Sequence, residues 1–466
     1  MEKYIYQNGG EFEVKQEAQY IEDRWQVSDN WLLSLGLRNE QFSNYNADGI
    51  VYVSQRHQLA PRLGASWDVK GDSSLKVFAN AGRYHLALPN NVARRGAAGS
   101  LYTHEYFAFQ SIDPNSGVPI GLTALGDAPY SPNNEYGNAP DPRMVAAEGL
   151  KSHFQDEFVL GFEQQLGGFN YGTRFVYRDL KSAIDDICDG RAAEAWGLAN
   201  GLSEDQSYHL GQSLQGCRLF NPGEDNTFNL DDGSGTLIRV PLTADALGFD
   251  KLKRRYYALD FFVERPFDGT WYAKIDYTWS KNYGNSEGQL LSDFGQADVA
   301  MTMTWDHPEL MLHGSGYLPN DRTHFLKAFG FYQISPEWRV AATVKAATGR
   351  PKNCYGYLVD GSAYYDENMA YGAYYHFCNG QASPRGTAGR LPDTATIDLG
   401  LAYAPNVLDN RLVFSLDVFN IFDQQVAQSV EERWESGGYG TRYAHSGRVI
   451  NYSSPRSVRL AVRYDF

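Results

Sequence analysis

Apolar and polar residues alternate one by one through stretch after stretch of this chain. Such a period of two suits an extended strand with one greasy and one wet face. Within residues 271–280, Trp271, Ala273, Ile275, Tyr277 and Trp279 oppose Lys274, Asp276, Thr278 and Ser280. Within residues 394–403, Ala395, Ile397, Leu399, Leu401 and Tyr403 oppose Thr396, Asp398, Gly400 and Ala402. Residues 455–466 repeat the pattern at the end of the chain. There Val458, Leu460, Val462, Tyr464 and Phe466 stand against Arg459, Ala461, Arg463 and Asp465. An alternating strand that ends on an aromatic residue reads as the closing strand of an outer-membrane β-barrel, one face to lipid and one to water. Residues 325–331 fit less cleanly, because Lys327 falls in phase with the phenylalanines.

The strands come in pairs joined by tight turns. Residues 12–25 and 31–42 flank Ser28-Asp29-Asn30; 59–69 and 75–84 flank Lys70-Gly71-Asp72; 158–166 and 170–181 flank Gly167-Gly168. Further on, 255–264 and 270–281 flank residues 266–269, 323–333 and 338–348 flank 335–337, and 394–403 and 411–422 flank 405–410. Turn-forming residues at these points fit hairpins. On the other side the connections are far longer, at 85–151, 182–253, 282–320, 350–390 and 423–454. Short turns alternating strictly with long loops predict an all-β, transmembrane, antiparallel β-barrel with short periplasmic turns and long extracellular loops. In a compact soluble domain, several loops of this length would argue against the assignment.

Composition agrees with that reading. Mean hydropathy is -0.47, 42% of residues are apolar and no run of about 18 apolar residues occurs, which excludes spanning helices but not strands that need an apolar residue at every second position. The 32 tyrosines suit rings at both membrane interfaces, or Tyr-rich loops. A net charge of -15 argues against a nucleic-acid partner and fits acidic loops at a cell surface. No linker divides the chain, so residues 1–466 are read as one architecture.

The amino terminus lacks the charged start and apolar core of a secretory signal. The strand tally is about 13, an odd number where single-chain bacterial barrels close on an even one. Counting back from a periplasmic Phe466 makes residues 12–25 run inward from the surface. Both points lead to the expectation of a carboxyl-terminal part of a larger barrel.

Several stretches together resemble the TonB-dependent receptors of Gram-negative outer membranes, in particular the Oar-like subgroup. They are YIEDRW (20–25), GLRNEQF (36–42), APRLGASWDV (60–69), DRTHFLKAFGFY (321–332), Thr348-Gly349-Arg350-Pro351, DVFNIFD (417–423) and the terminal strand. The resemblance implies a barrel of about 22 strands with a plugged lumen. It also implies energised uptake of a scarce solute at the outer membrane, driven by periplasmic TonB acting through a plug. Plug domain, signal peptide and first strands are expected to be absent from residues 1–466. A passive porin is the first rival reading and an outer-membrane hydrolase the second.

Four cysteines fall in two predicted outer loops, Cys188 with Cys217 and Cys354 with Cys378. Of the three pairings possible, bridges within each loop are the simplest, and the compartment is oxidising. The second bracket encloses Tyr355, Tyr357, Tyr364, Tyr365, Tyr371, Tyr374 and Tyr375. These are the substrate-contact candidates, since tyrosine offers a stacking face and a hydroxyl to a sugar, a peptide or an aromatic chelate. The alternative is that the rings pack the loop or sit at the interface. Arg62, Arg83, Arg174, Lys274, Asp276, Asp398, Arg459 and Arg463 are placed in the lumen, either guiding a ligand or meeting a plug, or as a solvated wall. Residues 231–235 (DDGSG) read as a polar turn, lacking the alternating oxygen ligands of a calcium loop. No hydrolase or phosphate-binding motif is present, so no catalytic, cofactor or metal residue is nominated and the chain is not read as an enzyme.

Overall fold

The computed structural model describes residues 1–126, 129–131, 135–288, 290–294, 302–358, 371–407 and 411–465. Among them, long strands run in unbroken antiparallel succession to form one wall. They are β1 (Val14–Ser28), β2 (Trp31–Tyr45), β3 (Val51–Asp68), β4 (Leu75–Leu86), β5 (His153–Leu166), β6 (Phe169–Ser182) and β7 (Arg254–Arg265). The wall continues through β8 (Trp271–Gly284), β9 (His324–Gln333), β10 (Trp338–Ala347), β11 (Thr394–Tyr403), β12 (Leu412–Phe419) and β13 (Ser457–Tyr464). A two-residue strand, Gly316–Tyr317, also pairs with β8. β1 and β13 are the two ends of this order and do not pair with each other.

Each strand pairs with the next in sequence, so the wall is built from local hairpins and long-loop returns without a crossover. The β5–β6 turn is Gly167-Gly168, with φ of 60° and 80°. That left-handed pair is what a two-residue hairpin matched to strand twist requires, and glycine adopts it without a Cβ clash.

Register sorts the side chains into two faces. Leu160 (57% exposed), Ile275 (48%) and Leu460 (78%) stand on the apolar face, open to the membrane. Aromatic rings gather at the short-turn end of this face: Trp31 stacks on Trp67 at 5.4 Å and Trp338 on Tyr403 at 4.3 Å. A second group, Tyr177, Tyr257 and Tyr277, lies toward the other end. Two aromatic girdles flanking an apolar band are what an outer-membrane wall needs at its two interfaces.

Register also explains Lys327. It lies opposite Asp276 on β8 and Lys345 on β10, on the polar face. Phe325, Phe329 and Phe331 share that face, while Leu326, Ala328 and Tyr332 face lipid. The lysine ammonium covers the Phe325 ring at 4.7 Å. One expected lumen residue is corrected: Arg83 is adjacent to Gly82, which pairs with Arg62, and so points to the opposite, apolar face. It is accommodated there by a two-pronged pair with Asp156, at 2.8 and 3.0 Å, and by stacking on Phe154 at 4.5 Å.

The alternation of turns and loops also has an exception. The outer connection from β2 to β3 is only residues 46–50, and the two strands themselves project past the girdle instead. The long loops, meanwhile, are packed structures. Residues from the loops after β4, β6 and β8 share one apolar core that includes Ala147, Ile187, Leu210, Leu214, Phe220, Phe228 and Trp305. Two helices supply part of it, Arg191–Ala199 and Glu204–Gln215. The second starts at a capping box, where Ser203 and Gln206 satisfy each other's backbone N–H groups. A second core joins Tyr52 and Val53 of β3 to Leu88, Val92, Val145 and Ile184. These loops form a canopy over the outer end of the wall.

Candidate functional site

The polar face of the wall carries cations that are mostly paired across strands. Arg174 donates to Asp260 at 2.7 Å, and Thr278 donates to the other oxygen of Asp260 at 2.6 Å. Arg178 pairs with Glu157, and Lys76 with Glu163 at 2.6 Å. Arg459 pairs with Asp417 at 2.9 Å. Arg62 instead lies over the Tyr84 ring at 4.9 Å. Beside this part of the face is a cavity of about 550 Å³, lined by Glu22, Ser34, Arg38, Arg62, Asn80 and Glu157 among others. The expected lumen residues Arg62, Arg174, Lys274, Asp276, Asp398, Arg459 and Arg463 all lie on this face by register. Cations and anions alternate along it, so it suits a wetted passage better than a site for one sign of charge.

The canopy holds a different kind of site, in which three loops meet around buried charge. Asp293 comes from the loop after β8, Arg350 and Arg385 from the loop after β10, and Glu432 from the loop after β12. Arg350 lies 2.7 Å from Glu432 and 3.6 Å from Asp293, while Arg385 reaches Asp293 at 3.5 Å. The Tyr355 hydroxyl donates to Asp293 at 3.0 Å, and the Asn353 backbone N–H donates to Glu432 at 2.8 Å. All four charged side chains are buried. Burial, reinforced by the Asp293 charge, pushes the Glu432 carboxyl up to about 7. Burial also raises Asp293, against the pull of Arg385 and Arg350. Two acids against two arginines keep the cluster near neutrality, the condition for placing charge away from water.

Both predicted loop bridges are formed, Cys188 to Cys217 and Cys354 to Cys378. The tyrosines of the second bracket are put to several uses. Tyr355 and Tyr375 are buried, at 2% and 1% exposure. Tyr355 is engaged by Asp293, and Tyr375 packs with Leu310, Leu358 and Phe377, so both serve as canopy core in this structure. Tyr371 donates to Asp306 at 2.7 Å. Tyr374 meets Phe294 edge-on at 4.7 Å and takes the Arg433 guanidinium at its ring. Tyr357 is half-buried, and its backbone N–H donates to Glu435 at 2.7 Å. Tyr364 and Tyr365 lie outside the described residues. Of the seven candidates, Tyr357, Tyr371 and Tyr374 keep part of their surface open.

Two groups of side chains have metal-like spacing among the described residues. In one, Asp186 lies beside Cys188 and Cys217, whose sulfurs are already joined to each other. In the other, Asp189 and Glu309 with His307 are served by Arg191, which donates to Asp189 at 2.7 Å and to both Glu309 oxygens at 2.7 and 2.8 Å. A guanidinium fills the cationic role there. The turn at 231–235 likewise spends its carboxylates on its own backbone: Asp231 accepts from Gly233 at 2.8 Å and Gly235 at 3.0 Å.

The charge cluster was not found by sequence reasoning, because its members are far apart along the chain and no local pattern links them. The loop helices did leave a signal, Ser203 followed by Gln206 and then Leu210 and Leu214 at helical spacing.

Comparison with known proteins places this architecture. Residues 4–185 match the family described as TonB dependent receptor-like, beta-barrel. The chain is 25% identical to the TonB-dependent transporter Oar of Myxococcus xanthus, in a match covering all of this chain and 45% of that protein. Among solved structures, the outer membrane transporter YddB from Escherichia coli superposes with a TM-score of 0.52 at 15% identity, covering 97% of this chain and 45% of that one. The FrpB iron transporter from Neisseria meningitidis (F3-3 variant) gives 0.50 at 14% identity, covering 98% and 46%. At such identities the two structures speak for the fold alone. The chain thus spans a little under half the length of each of these relatives.

Proposed function

We propose, from the premise that this chain is barrel wall of the TonB-dependent receptor family, that the protein containing it takes up a scarce solute across a Gram-negative outer membrane. The observation that carries the reading is the pairing of a charged, wetted inner face with a canopy whose loops are locked together around buried ions. A general porin needs only the first of these. A receptor that captures a dilute solute also needs a preorganised outer surface, because ordering loops at the moment of binding subtracts from affinity. The solute is a small one, a sugar, a peptide or a chelate, and periplasmic TonB is the energy-coupling partner. The outer-membrane lipid is the partner of the apolar face.

The edges support a further part of this reading, that residues 1–466 are part of a larger barrel. β1 and β13 each present a row of backbone groups without a wall partner among the described residues. In hydrocarbon each such group costs several kcal/mol, so a stable wall brings further strands between them. Expressed alone, residues 1–466 should fail to give a compact monomer, as judged by mass and by mobility of heated against unheated samples. A protease-resistant monomer with both bridges intact would exclude added strands.

Uptake is tested in cells producing the complete receptor, using a labelled solute identified by a binding screen. Accumulation should require TonB and stop when the proton gradient is collapsed. Equal accumulation in cells lacking TonB would return the protein to the porin class. Protease added to whole cells should cut within 85–151 and 182–253, and full protection of both loops would invert the topology.

A further inference from the structure

A small sheet in the canopy displays a face of clustered tyrosines. Glu2–Gln7 pairs antiparallel with Leu101–Ala108, a segment of the loop between β4 and β5. The register puts Tyr4 opposite His104 and Tyr6 opposite Tyr102, and Glu2 opposite Tyr106. Since alternate residues share a face, Tyr4, Tyr6, Tyr102, His104 and Tyr106 all stand on one side. Tyr130 joins them through its bridge to His104.

The rings form a connected ladder. Tyr6 meets Tyr102 at 6.1 Å, Tyr102 meets Tyr4 at 5.3 Å, Tyr4 meets His104 at 5.3 Å, and His104 stacks on Tyr106 at 6.4 Å. Tyr4, Tyr6, Tyr106 and Tyr130 remain between 51% and 59% exposed. The reverse side, with Ile5, Leu101, Thr103 and Phe107, is more buried and anchors the sheet; Thr103 is 4% exposed. The span from Tyr102 to Tyr106 is about 14 Å at the usual rise of a strand.

We propose that this tyrosine face binds a neutral glycan chain at the cell surface. The side chains present decide the class of ligand. Aliphatic residues, which a lipid-inserting face would use, are missing from the ladder, whereas the membrane face of the same protein is rich in Leu, Val and Ile, and the ladder also lacks the Trp and Arg anchors that accompany tyrosine in a protein hot spot. The ladder carries no lysine or arginine, its Glu2 is taken by His104, and the chain has a net charge of -15, so a polyanion is disfavoured. What remains is a row of rings, each with an apolar surface and a hydroxyl, and a sugar ring matches both with its C–H face and its hydroxyls. The sheet lies on the outer side of the wall, where Glu2–Gln7 leads into the outer end of β1 and Leu101–Ala108 belongs to an outer loop. A surface or environmental polysaccharide can reach it there.

The test uses the complete natural protein in detergent, titrated calorimetrically with cellohexaose, maltohexaose and chitohexaose as neutral probes and a heparin hexasaccharide as the anionic one. At least one neutral probe should bind and heparin should not. Changing Tyr4→Ala together with Tyr106→Ala should weaken binding about tenfold or more, on the usual worth of an aromatic contact, while Tyr4→Phe should retain most of it. Hydroxyl-radical labelling of Tyr4, Tyr106 and Tyr130 should fall when the neutral probe is bound, a readout independent of the variants. Failure of all three neutral probes, preference for heparin, or binding that leaves those tyrosines fully labelled would overturn the proposal. None of these outcomes depends on TonB, so the uptake reading stands or falls separately.

Discussion

The wall and the canopy are made from one chain but are stabilised by different means. In the wall, strands are joined by backbone ladders and their large apolar side chains are left open to the membrane, as with Leu160 and Leu460. In the canopy the apolar residues turn inward, with Trp305, Phe220 and Phe228 each at about 1% exposure or less, beside two disulfides and a set of buried ions. The wall is therefore solvated by lipid and needs no interior of its own, whereas the canopy, standing in water, must build a core as a soluble domain does. A substitution should be felt in one region and spare the other.

The largest separation is expected at Arg350. Arg350→Met leaves Asp293 and Glu432 buried with only Arg385 nearby, and removing one partner of a buried charge set costs about 3–5 kcal/mol. Loop cleavage by protease should accelerate while the heated-against-unheated gel shift of the wall is unchanged. The loss should also depend on pH. Glu432 holds its proton up to about 7 in the folded canopy against an ordinary value of 4.5, so the folded state binds protons more tightly than the opened one. The stabilisation from this group is fully present below about 4.5 and is lost as pH rises through about 7. The deficit of the variant should accordingly shrink at pH 5 and widen at pH 8. A deficit that ignores pH would remove Glu432 from the explanation.

Next come the bridges. The Cys188–Cys217 bond closes a separation of 29 residues, and replacing both cysteines by serine should destabilise the canopy by about 3–4 kcal/mol on the chain-entropy account. Hydrogen exchange across the helices Arg191–Ala199 and Glu204–Gln215 should rise, with β5 and β6 unaffected. Faster exchange in the wall strands as well would show that the two regions unfold together.

The reciprocal experiment strikes the wall. Ile275 is about half exposed on the membrane face of β8, and Ile275→Arg there should cost about 2–4 kcal/mol if the site lies near the bilayer midplane. Insertion into vesicles should fall, whereas loop cleavage in the fraction that inserts should match the parent. Lys274→Leu, one residue away on the polar face, should insert normally.

The same division governs what could be read from sequence. The wall was legible because its environment imposes a period of two: Trp271 to Trp279 and Val458 to Tyr464 can be assigned to a face by counting. The difficulty at Lys327 came from reading the three phenylalanines as lipid-facing, and pairing with Asp276 resolves it. Arg83 shows the reverse limit, since a charge on a strand does not by itself mark the lumen. Near the outer interface a paired arginine can face outward, and only register reveals it. The canopy was largely illegible. Its hairpins, helices and ion cluster answer to contacts between residues far apart along the chain, such as Tyr355 to Asp293 at a separation of 62, Asn353 to Glu432 at 79 and Arg385 to Asp293 at 92. Long connections treated as loops hid even the local capping signal at Ser203. Of the site, the bridges were legible from compartment and spacing, while the split between buried Tyr355 and Tyr375 and more open Tyr374 was not.

The smallest effect expected tests whether charge pairing on the inner wall resembles charge pairing in the canopy. Arg459 and Asp417 face each other across β12 and β13 at 2.9 Å, with side chains 64% and 23% exposed. That is a pair of the same chemical type as Arg350 with Glu432, but one of them is wet. Water screens the exposed pair, and fixing two long side chains offsets much of what attraction remains, so its net contribution should be below about 1 kcal/mol. A double-mutant cycle with Arg459→Met and Asp417→Asn, read by urea unfolding of the complete receptor from vesicles, isolates the coupling from other effects of each change. The coupling should be small and shrink further at high salt, while the corresponding cycle for Arg350 and Glu432 should be several-fold larger and insensitive to salt. A coupling above about 2 kcal/mol at Arg459 would be outside the range for exposed pairs. It would mean that the inner face excludes water at this strand pair, and the contrast between a wetted wall and a dry canopy would fail there.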